Sequence, residues 1–222
     1  MKRMKKILAL SLSAVLLLGL LCACGDPGAE NSDPVGANTS GTISSQEPSN
    51  GPAQVDLAAF YLAMTEKYPG ELPSTPEELY PEEMVDDDEM WAFGPDTREE
   101  RLQEVEKLRS DYYEMNLTFY PGLTDITTEQ CLVYASQMSF SGSEVVLIQV
   151  SDAADVNAVK AILQTRIDFQ AGDDENPGGA WYDDASKNWK NNSRIVSNGS
   201  YVMLVVSESC DNIVNDFNAL FA

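Results

Sequence analysis

The sequence predicts an α+β fold in which two strand-strand-helix units form a small, antiparallel-rich sheet with helices on one face. The spacing of apolar residues changes near Tyr120, from a helical period of about 3.6 to a strand period of about 2. Asn198-Gly199, between two apolar strand patterns, is the strongest short signal for a β-hairpin. Beyond Tyr120 the order strand, strand, helix occurs twice, which favours a sheet with helices packed on it.

The first 24 residues are predicted to be the signal peptide of a lipoprotein. Lys2, Arg3, Lys5 and Lys6 open the chain. An apolar run over residues 7–21 follows, and it is too short to span a membrane comfortably. Leu21-Cys22-Ala23-Cys24 then resembles a bacterial lipobox, with Cys24 as the lipidated residue. An ordinary secretory signal and an uncleaved anchor are the alternatives. Lipidation predicts a protein held on the outer face of the cytoplasmic membrane.

The rest of the chain is predicted to be a tether and one folded domain. Residues 25–54 are Gly, Ser, Pro, Asn, Asp and Ala with almost no large apolar residue, so they are predicted to be disordered. Residues 55–222 are predicted to be an α+β domain, with a helical acidic extension over 55–115 and a core over 116–222. A division into two domains near Asn116 is the alternative.

The acidic extension has three helix signals. Leu57, Phe60, Tyr61 and Met64 share the i, i+3, i+4, i+7 spacing of an amphipathic helix between Asp56 and Lys67. Thr75-Pro76-Glu77-Glu78 and Thr97-Arg98-Glu99-Glu100 both match the capping box that begins a helix. Pro81 limits the helix that begins at Thr75 to about one turn. The helix that begins at Thr97 should reach roughly Met115.

The core alternates strand and helix signals. The predicted strands are Cys131–Ala135, Glu144–Val150, Arg194–Val196 and Tyr201–Val206, with a turn around Ser141-Gly142-Ser143 between the first two. Helices are predicted after the Ser151-Asp152 cap, more weakly over Trp181–Trp189, and over Asp211–Phe221.

Composition excludes several classes of function. The chain has 14 Lys plus Arg against 36 Asp plus Glu, a formal net charge of −22 and no His. Nucleic acid is therefore a poor partner, because phosphate backbones require basic surfaces. The lack of His removes Ser-His-Asp and Cys-His nucleophile systems and the commonest zinc ligand. We expect no cofactor and no catalytic residue, and a monomer.

Cys131 and Cys210 are the two thiols of the predicted domain, and they allow two interpretations. Outside the cytoplasm an even pair of cysteines indicates a disulfide, which here would close a long loop. The alternative is two buried free thiols that pack as small apolar residues.

Glu144 and Arg166 are the most informative charged residues, one at a strand start and one late in a helix. A planar guanidinium can bind a carboxylate or phosphate ligand in bidentate fashion, so Arg166 is a candidate ligand-binding residue. The favoured alternative is an internal ion pair between Arg166 and Glu144 that orients the helix on the sheet.

Two further groups are weaker candidates. Asp86-Asp87-Asp88-Glu89 and Asp173-Asp174-Glu175 could take a hard cation, but neither has the spacing of a known calcium loop, so a solvated acidic loop is favoured. Trp181, Tyr182 and Trp189 could stack on a sugar or peptide ligand; the favoured alternative is that they cover the sheet.

The second half of the chain resembles a known family. The resemblance rests on Tyr120-Pro121-Gly122-Leu123, Ser143-Glu144, the strand 145–150, Val159-Lys160-Ala161-Ile162-Leu163, Arg166 and the strand 199–207, together with the lipobox. These motifs are similar to those of uncharacterised lipoproteins, catalogued as a domain of unknown function, from Gram-positive, Clostridia-type gut bacteria. The resemblance implies a location and a fold, and it does not include the acidic segment 71–114.

These observations together predict a lipid-anchored, extracytoplasmic domain that binds a ligand or a partner at the cell envelope without catalysis. Two alternatives stay open: a carboxylate-dependent hydrolase of cell-wall glycan, and a purely structural or assembly lipoprotein.

Overall fold

The computed structural model describes residues 54–136, 142–173 and 175–222, all within one compact unit of residues 51–222. The predicted signal peptide, Cys24 and all of the predicted tether except Gln54 lie outside these residues, as do Ser141 and Asp174. The α+β class is confirmed: six α-helices and one four-stranded antiparallel sheet lie in the described part of the chain. None of the described helices is long and apolar enough to cross a membrane.

Three helices precede the sheet and begin where the sequence predicts. They are α1 (Leu57–Lys67), α2 (Pro76–Leu79) and α3 (Arg98–Leu117). Both predicted capping boxes are formed: the side chains of Thr75 and Thr97 each accept from the third helical N–H, and Glu78 and Glu100 reach back to the cap. A 3₁₀ helix, Glu82–Asp86, lies between α2 and α3.

The sheet has the strand order β1-β2-β4-β3, and every neighbouring pair is antiparallel. The strands are β1 (Thr128–Ala135), β2 (Glu144–Val150), β3 (Ser193–Asn198) and β4 (Tyr201–Val206). Asn198 pairs with Tyr201, so Gly199-Ser200 is a two-residue hairpin turn, and Gly199 has the positive φ of +55° that such turns require. The remaining helices are α4 (Val156–Ala171), α5 (Asp183–Asn191) and α6 (Cys210–Ala219).

The helices divide between the two faces of the sheet, whereas the sequence predicts them all on one face. On the first face, α1 and α6 pack with Tyr112 of α3 against Tyr134, Val145, Leu147, Met203 and Val205. On the second face, α4 and Trp189 of α5 pack against Val133, Val146, Ile148, Val202 and Leu204. Side chains of one strand point alternately to opposite faces, so the apolar runs of β2 and β4 supply both clusters.

The outer edge of β1 is covered by side chains of α3. Asn116 Nδ2 donates to the carbonyl of Val133 at 3.2 Å, and the hydroxyl of Tyr112 lies 3.2 Å from both the N–H and the carbonyl of Ala135. These contacts satisfy backbone groups that an edge strand would otherwise expose for pairing with another chain. They also attach the acidic extension to the core.

Candidate functional site

A buried ion pair joins α4 to the start of β2. Arg166 donates from Nε to Glu144 Oε1 at 3.2 Å and from Nη2 to Glu144 Oε2 at 2.8 Å. The two side chains are only 9% and 3% exposed, respectively. The structure therefore brings together the two charged residues that the sequence singles out, in the bidentate geometry typical of Arg with a carboxylate.

Tyr120 completes the set of donors around Glu144. Its hydroxyl donates to Glu144 Oε1, and the ring is 1% exposed. Burial, and after it the negative charge of Glu144, raise the pKa of Tyr120 well above its usual value, so the phenol stays protonated and donates. Gly122, with φ of +90°, lets the chain turn directly after Tyr120 toward β1.

Aromatic rings surround the guanidinium of Arg166. Its Cζ lies 4.4 Å from the ring centroid of Phe119, 5.5 Å from that of Trp189 and 5.9 Å from that of Tyr120. These distances are within the range of cation–π contact, which favours guanidinium over ammonium at such a site. Gly142 allows this packing, because a Cβ there would lie 3.1 Å from the indole nitrogen of Trp189.

Arg166 lies at the boundary of two cavities. The first, here called the apolar groove, runs between α4 and the turn after α3 and has a volume of about 510 Å³. Its apolar lining is Phe119, Pro121, Ala161, Ile162 and Phe169, and its polar lining is Thr118, Thr165 and Arg166. The second cavity, of about 370 Å³, shares Phe119, Arg166 and Phe169 with the groove and adds Glu144 and Trp189.

The apolar groove has the form of a small-molecule site, and its described polar lining consists of two threonines and Arg166. Thr118 donates its hydroxyl hydrogen to the carbonyl of Met115, and Thr165 donates to that of Ala161. No carboxylate or thiol lines the groove in the described structure. Glu144 lines only the second cavity, where Arg166 and Tyr120 occupy its oxygens. Concave, mostly apolar sites with a few polar groups are the usual form of small-molecule sites.

The structure does not bring Cys131 and Cys210 together. Both thiols are free, and the disulfide interpretation fails because the residues pack against opposite faces of the sheet. Burial raises the pKa of Cys131 to about 11 and also raises the pKa of Cys210. Both therefore fit the alternative of thiols that pack as small apolar residues.

Residues of both acidic clusters are engaged in contacts within the protein, the first cluster with α3 and the second within its own loop. Asp86 pairs with Arg98 at 3.1 Å, and Asp88 pairs with Arg101 at 2.9 Å. Asp173 Oδ1 accepts from the backbone N–H groups of Glu175 at 2.8 Å and Asn176 at 2.7 Å. Those bonds lower the pKa of Asp173 and shape its loop. The described residues contain no group of three or more Cys, Asp or Glu that could hold a metal ion.

The three aromatic candidates do not form one platform. Trp189 is 2% exposed and belongs to the cluster on the second face, as the favoured alternative predicts. Trp181 is 91% exposed and lines neither the groove nor the second cavity. Tyr182 is half-exposed and directly precedes α5.

Three important residues are not singled out by the sequence analysis. Phe119 and Phe169 line the groove but lie far apart in the chain, and no local spacing links them. Glu71 caps α6 from a distance: it accepts from the hydroxyl of Ser207 at 2.9 Å and from the N–H and hydroxyl of Ser209, each at 3.1 Å. No motif signals a cap supplied from so far along the chain.

The site lies within a segment of the chain that matches a protein-family model. Residues 103–207 match the family model described as Domain of unknown function (DUF4358). This segment includes Tyr120, Glu144 and Arg166, and it begins inside the acidic segment, earlier than the resemblance implies. No curated protein and no solved structure is detectably similar to the chain.

Proposed function

We propose that this protein is a non-catalytic binding protein, anchored by lipid on Cys24 to the outer face of the cytoplasmic membrane, and that the apolar groove is its ligand site. The observation that carries the binding proposal is the groove itself: a concave, mostly apolar surface beside α4 that one buried, ion-paired arginine helps to line.

The ion pair makes the groove a rigid site. Arg166 is held by Glu144 on one side and by the ring of Phe119 on the other, and Glu144 is held in turn by Tyr120. Side chains fixed in this way lose little conformational freedom when a ligand binds, which favours affinity. Phe169 is 63% exposed although it is large and apolar, so a ligand in the groove would remove apolar area from water.

The hydrolase alternative gains no support from the site. A glycosidase needs two carboxyl groups facing the scissile bond, one as acid and one as base or nucleophile. The groove has no carboxylate among its described lining residues, and Glu144 already accepts from two side chains. We therefore assign no catalytic residue and no nucleic-acid partner.

The anchor is supported by the N-terminal sequence and can be tested there. Two cysteines, Cys22 and Cys24, lie close together in the lipobox region, and only Cys24 has Leu three residues before it and Ala directly before it. In a bacterial host fed a labelled fatty acid, we expect label on the wild type and on Cys22→Ala, and none on Cys24→Ala. Label that survives in Cys24→Ala contradicts the anchor.

The groove can be tested by ligand screening with a variant that fills it. Thermal unfolding is measured with calcium, magnesium, muropeptides, oligosaccharides, amino acids and small apolar compounds. A ligand at about a hundred times its Kd stabilises the native state by roughly 2.7 kcal/mol. We expect a small apolar compound to raise the midpoint in the wild type and in Gln164→Trp, which alters α4 outside the groove, but not in Ala161→Trp. An equal shift in Ala161→Trp contradicts the site.

A further inference from the structure

The hydrogen-bond donors of Arg166 are only partly used by the residues that the structure describes. A guanidinium carries five N–H groups, one on Nε and two on each Nη. Nε and Nη2 donate to Glu144, at 3.2 Å and 2.8 Å. Nη1 has no hydrogen-bond partner among the residues that the structure describes, although Arg166 lines the apolar groove. A ligand in the groove that reaches Nη1 would therefore meet two N–H donors.

The charge of Arg166 is already compensated. Glu144 is its bidentate partner, and Tyr120 stays a neutral phenol, so the buried cluster carries no net charge. An anionic ligand at Nη1 would place a second negative charge beside the buried carboxylate, which is unfavourable in a site of low dielectric constant. The net charge of −22 adds repulsion against anions over the whole surface.

A cationic ligand is disfavoured for a different reason. Nη1 has only donors to offer, and the ammonium group of a ligand has no lone pair with which to accept them. No carboxylate lines the described groove to receive a cation, since Thr118 and Thr165 supply its other polar atoms. The groove therefore matches a head group that is uncharged and accepts hydrogen bonds.

The rest of the groove matches an apolar chain or ring. Its other lining residues are apolar, among them Phe119, Ile162 and Phe169, and a volume of about 510 Å³ accommodates a small molecule. We propose, on the basis of the function assigned above, that the ligand is an uncharged, mostly apolar molecule whose carbonyl or amide oxygen accepts from Nη1 of Arg166. The apolar part of the ligand lies along α4, against Phe119 and Phe169.

Three probes with the same eight-carbon chain test the head group. Octanamide, octanoate and octylammonium compete with Nile red, whose fluorescence reports occupation of the apolar groove, at neutral pH and constant ionic strength. We expect octanamide to displace the dye at a concentration at least about tenfold lower than either charged probe does, because one good hydrogen bond without a charge penalty is worth that factor.

Three variants test where the dye and the probes bind and which side chain selects the head group. Ala161→Trp should abolish dye binding, and Gln164→Trp should leave it intact. Arg166→Lys retains the positive charge beside Glu144 but replaces the three guanidinium nitrogens by one, so no donor remains at the position of Nη1. It should reduce the advantage of octanamide over octanoate to less than about threefold, measured as displacement of the dye.

The outcomes separate the inference from the function on which it rests. If no probe displaces the dye, or if Ala161→Trp binds the dye like the wild type, the groove is not a ligand site and both proposals fail. If the probes bind in the groove but octanoate or octylammonium equals octanamide, the site stands and the assigned head group is wrong. This ranking is measured on the unchanged protein, so it decides the matter even if Arg166→Lys does not fold.

Discussion

The guanidinium of Arg166 and the carboxylate of Glu144 lie almost out of contact with solvent, so each depends on the other to compensate its charge. Removing one partner of a buried pair strands the other in a medium that solvates it poorly. Removing the charge of both partners is much less harmful, because no ion is left behind.

We therefore predict that Arg166→Met lowers the free energy of unfolding by about 3–5 kcal/mol, as measured by urea denaturation. The double variant Arg166→Met/Glu144→Gln should lose less than Arg166→Met alone, since the amide that replaces the carboxylate carries no charge. Lys107→Met, in the exposed pair of Lys107 with Asp111, is the control and should change little. Equal losses in the single and double variants contradict the stranded charge.

The two thiols of the domain give a second prediction at this scale. Burial raises the pKa of Cys131 to about 11, and it raises the pKa of Cys210 as well. A thiol with a raised pKa holds little thiolate at neutral pH, and the thiolate is the nucleophile. Iodoacetamide should therefore modify both residues slowly at pH 7.5 in the folded protein and rapidly in urea. Fast modification before unfolding, or a midpoint that falls when reductant is added, contradicts two free thiols, one buried and one partly buried, with raised pKa values.

At the scale of elements, α6 depends on three residues from the start of the domain. Glu71 satisfies the N–H of Ser209 at its N-terminus, and Lys67 and Tyr68 bind Asp216 on its surface, at 2.7 Å and 2.8 Å. None of these contacts is made by residues close to α6 in the chain. The helix is therefore held in place by the end of α1 and the segment that follows it.

We predict that Glu71→Ala destabilises the protein by about 0.5–2 kcal/mol, the usual loss for a helix cap. The carboxylate holds the N–H and the hydroxyl of Ser209, the residue that precedes α6 and whose own side chain forms no cap bond. Glu66→Ala removes an exposed carboxylate of α1 and should have no measurable effect in the same urea titration. A Glu71→Ala variant as stable as the wild type would show that solvent caps α6 equally well.

The contact of Asp216 should make part of the stability depend on pH. The bond from Lys67, and then that from Tyr68, lower the pKa of Asp216 below its usual 3.8. A lowered pKa means that the carboxylate stabilises the fold above the unfolded pKa and that this contribution is lost as pH falls through the folded one. Asp216→Asn should therefore be less stable than the wild type at pH 7, and the difference should shrink and then vanish as the pH falls below the unfolded pKa of 3.8 and through the lower folded one. A difference that persists in acid contradicts the assignment.

Elements with local signals could be predicted from the sequence, and their arrangement could not. The capping boxes at Thr75 and Thr97 and the turn at Asn198-Gly199 are fixed by neighbouring residues, and all three are formed. Apolar spacing reveals which side of a helix is buried but not the face of the sheet on which it packs, so α4 and α6 could not be assigned to opposite faces. The groove depends on that assignment, since it forms where α4 passes Phe119.

At the scale of the whole molecule, negative charge opposes the compact state. The chain has 36 acidic residues against 14 basic ones, and folding brings the unpaired carboxylates closer together. Raising NaCl from about 0.1 M to about 1 M shortens the Debye length from roughly 10 Å to roughly 3 Å, so it should raise the thermal midpoint. KCl should act equally, because screening depends on ionic strength. A midpoint that falls with salt would show that attractive pairs dominate.

The division of helices between the two faces determines how much of the chain is needed for the domain to fold. The segment that matches the family model, residues 103–207, contains the whole sheet and α4, but not α1 or α6. Leu57, Phe60, Ile213 and Phe217 cover the first face from outside that segment. A fragment cut at those limits would keep Tyr112 on this face but lose the cover of α1 and α6, and the apolar surface so exposed would favour aggregation. The part of the chain that folds as one unit is thus larger than the segment that matches the family model.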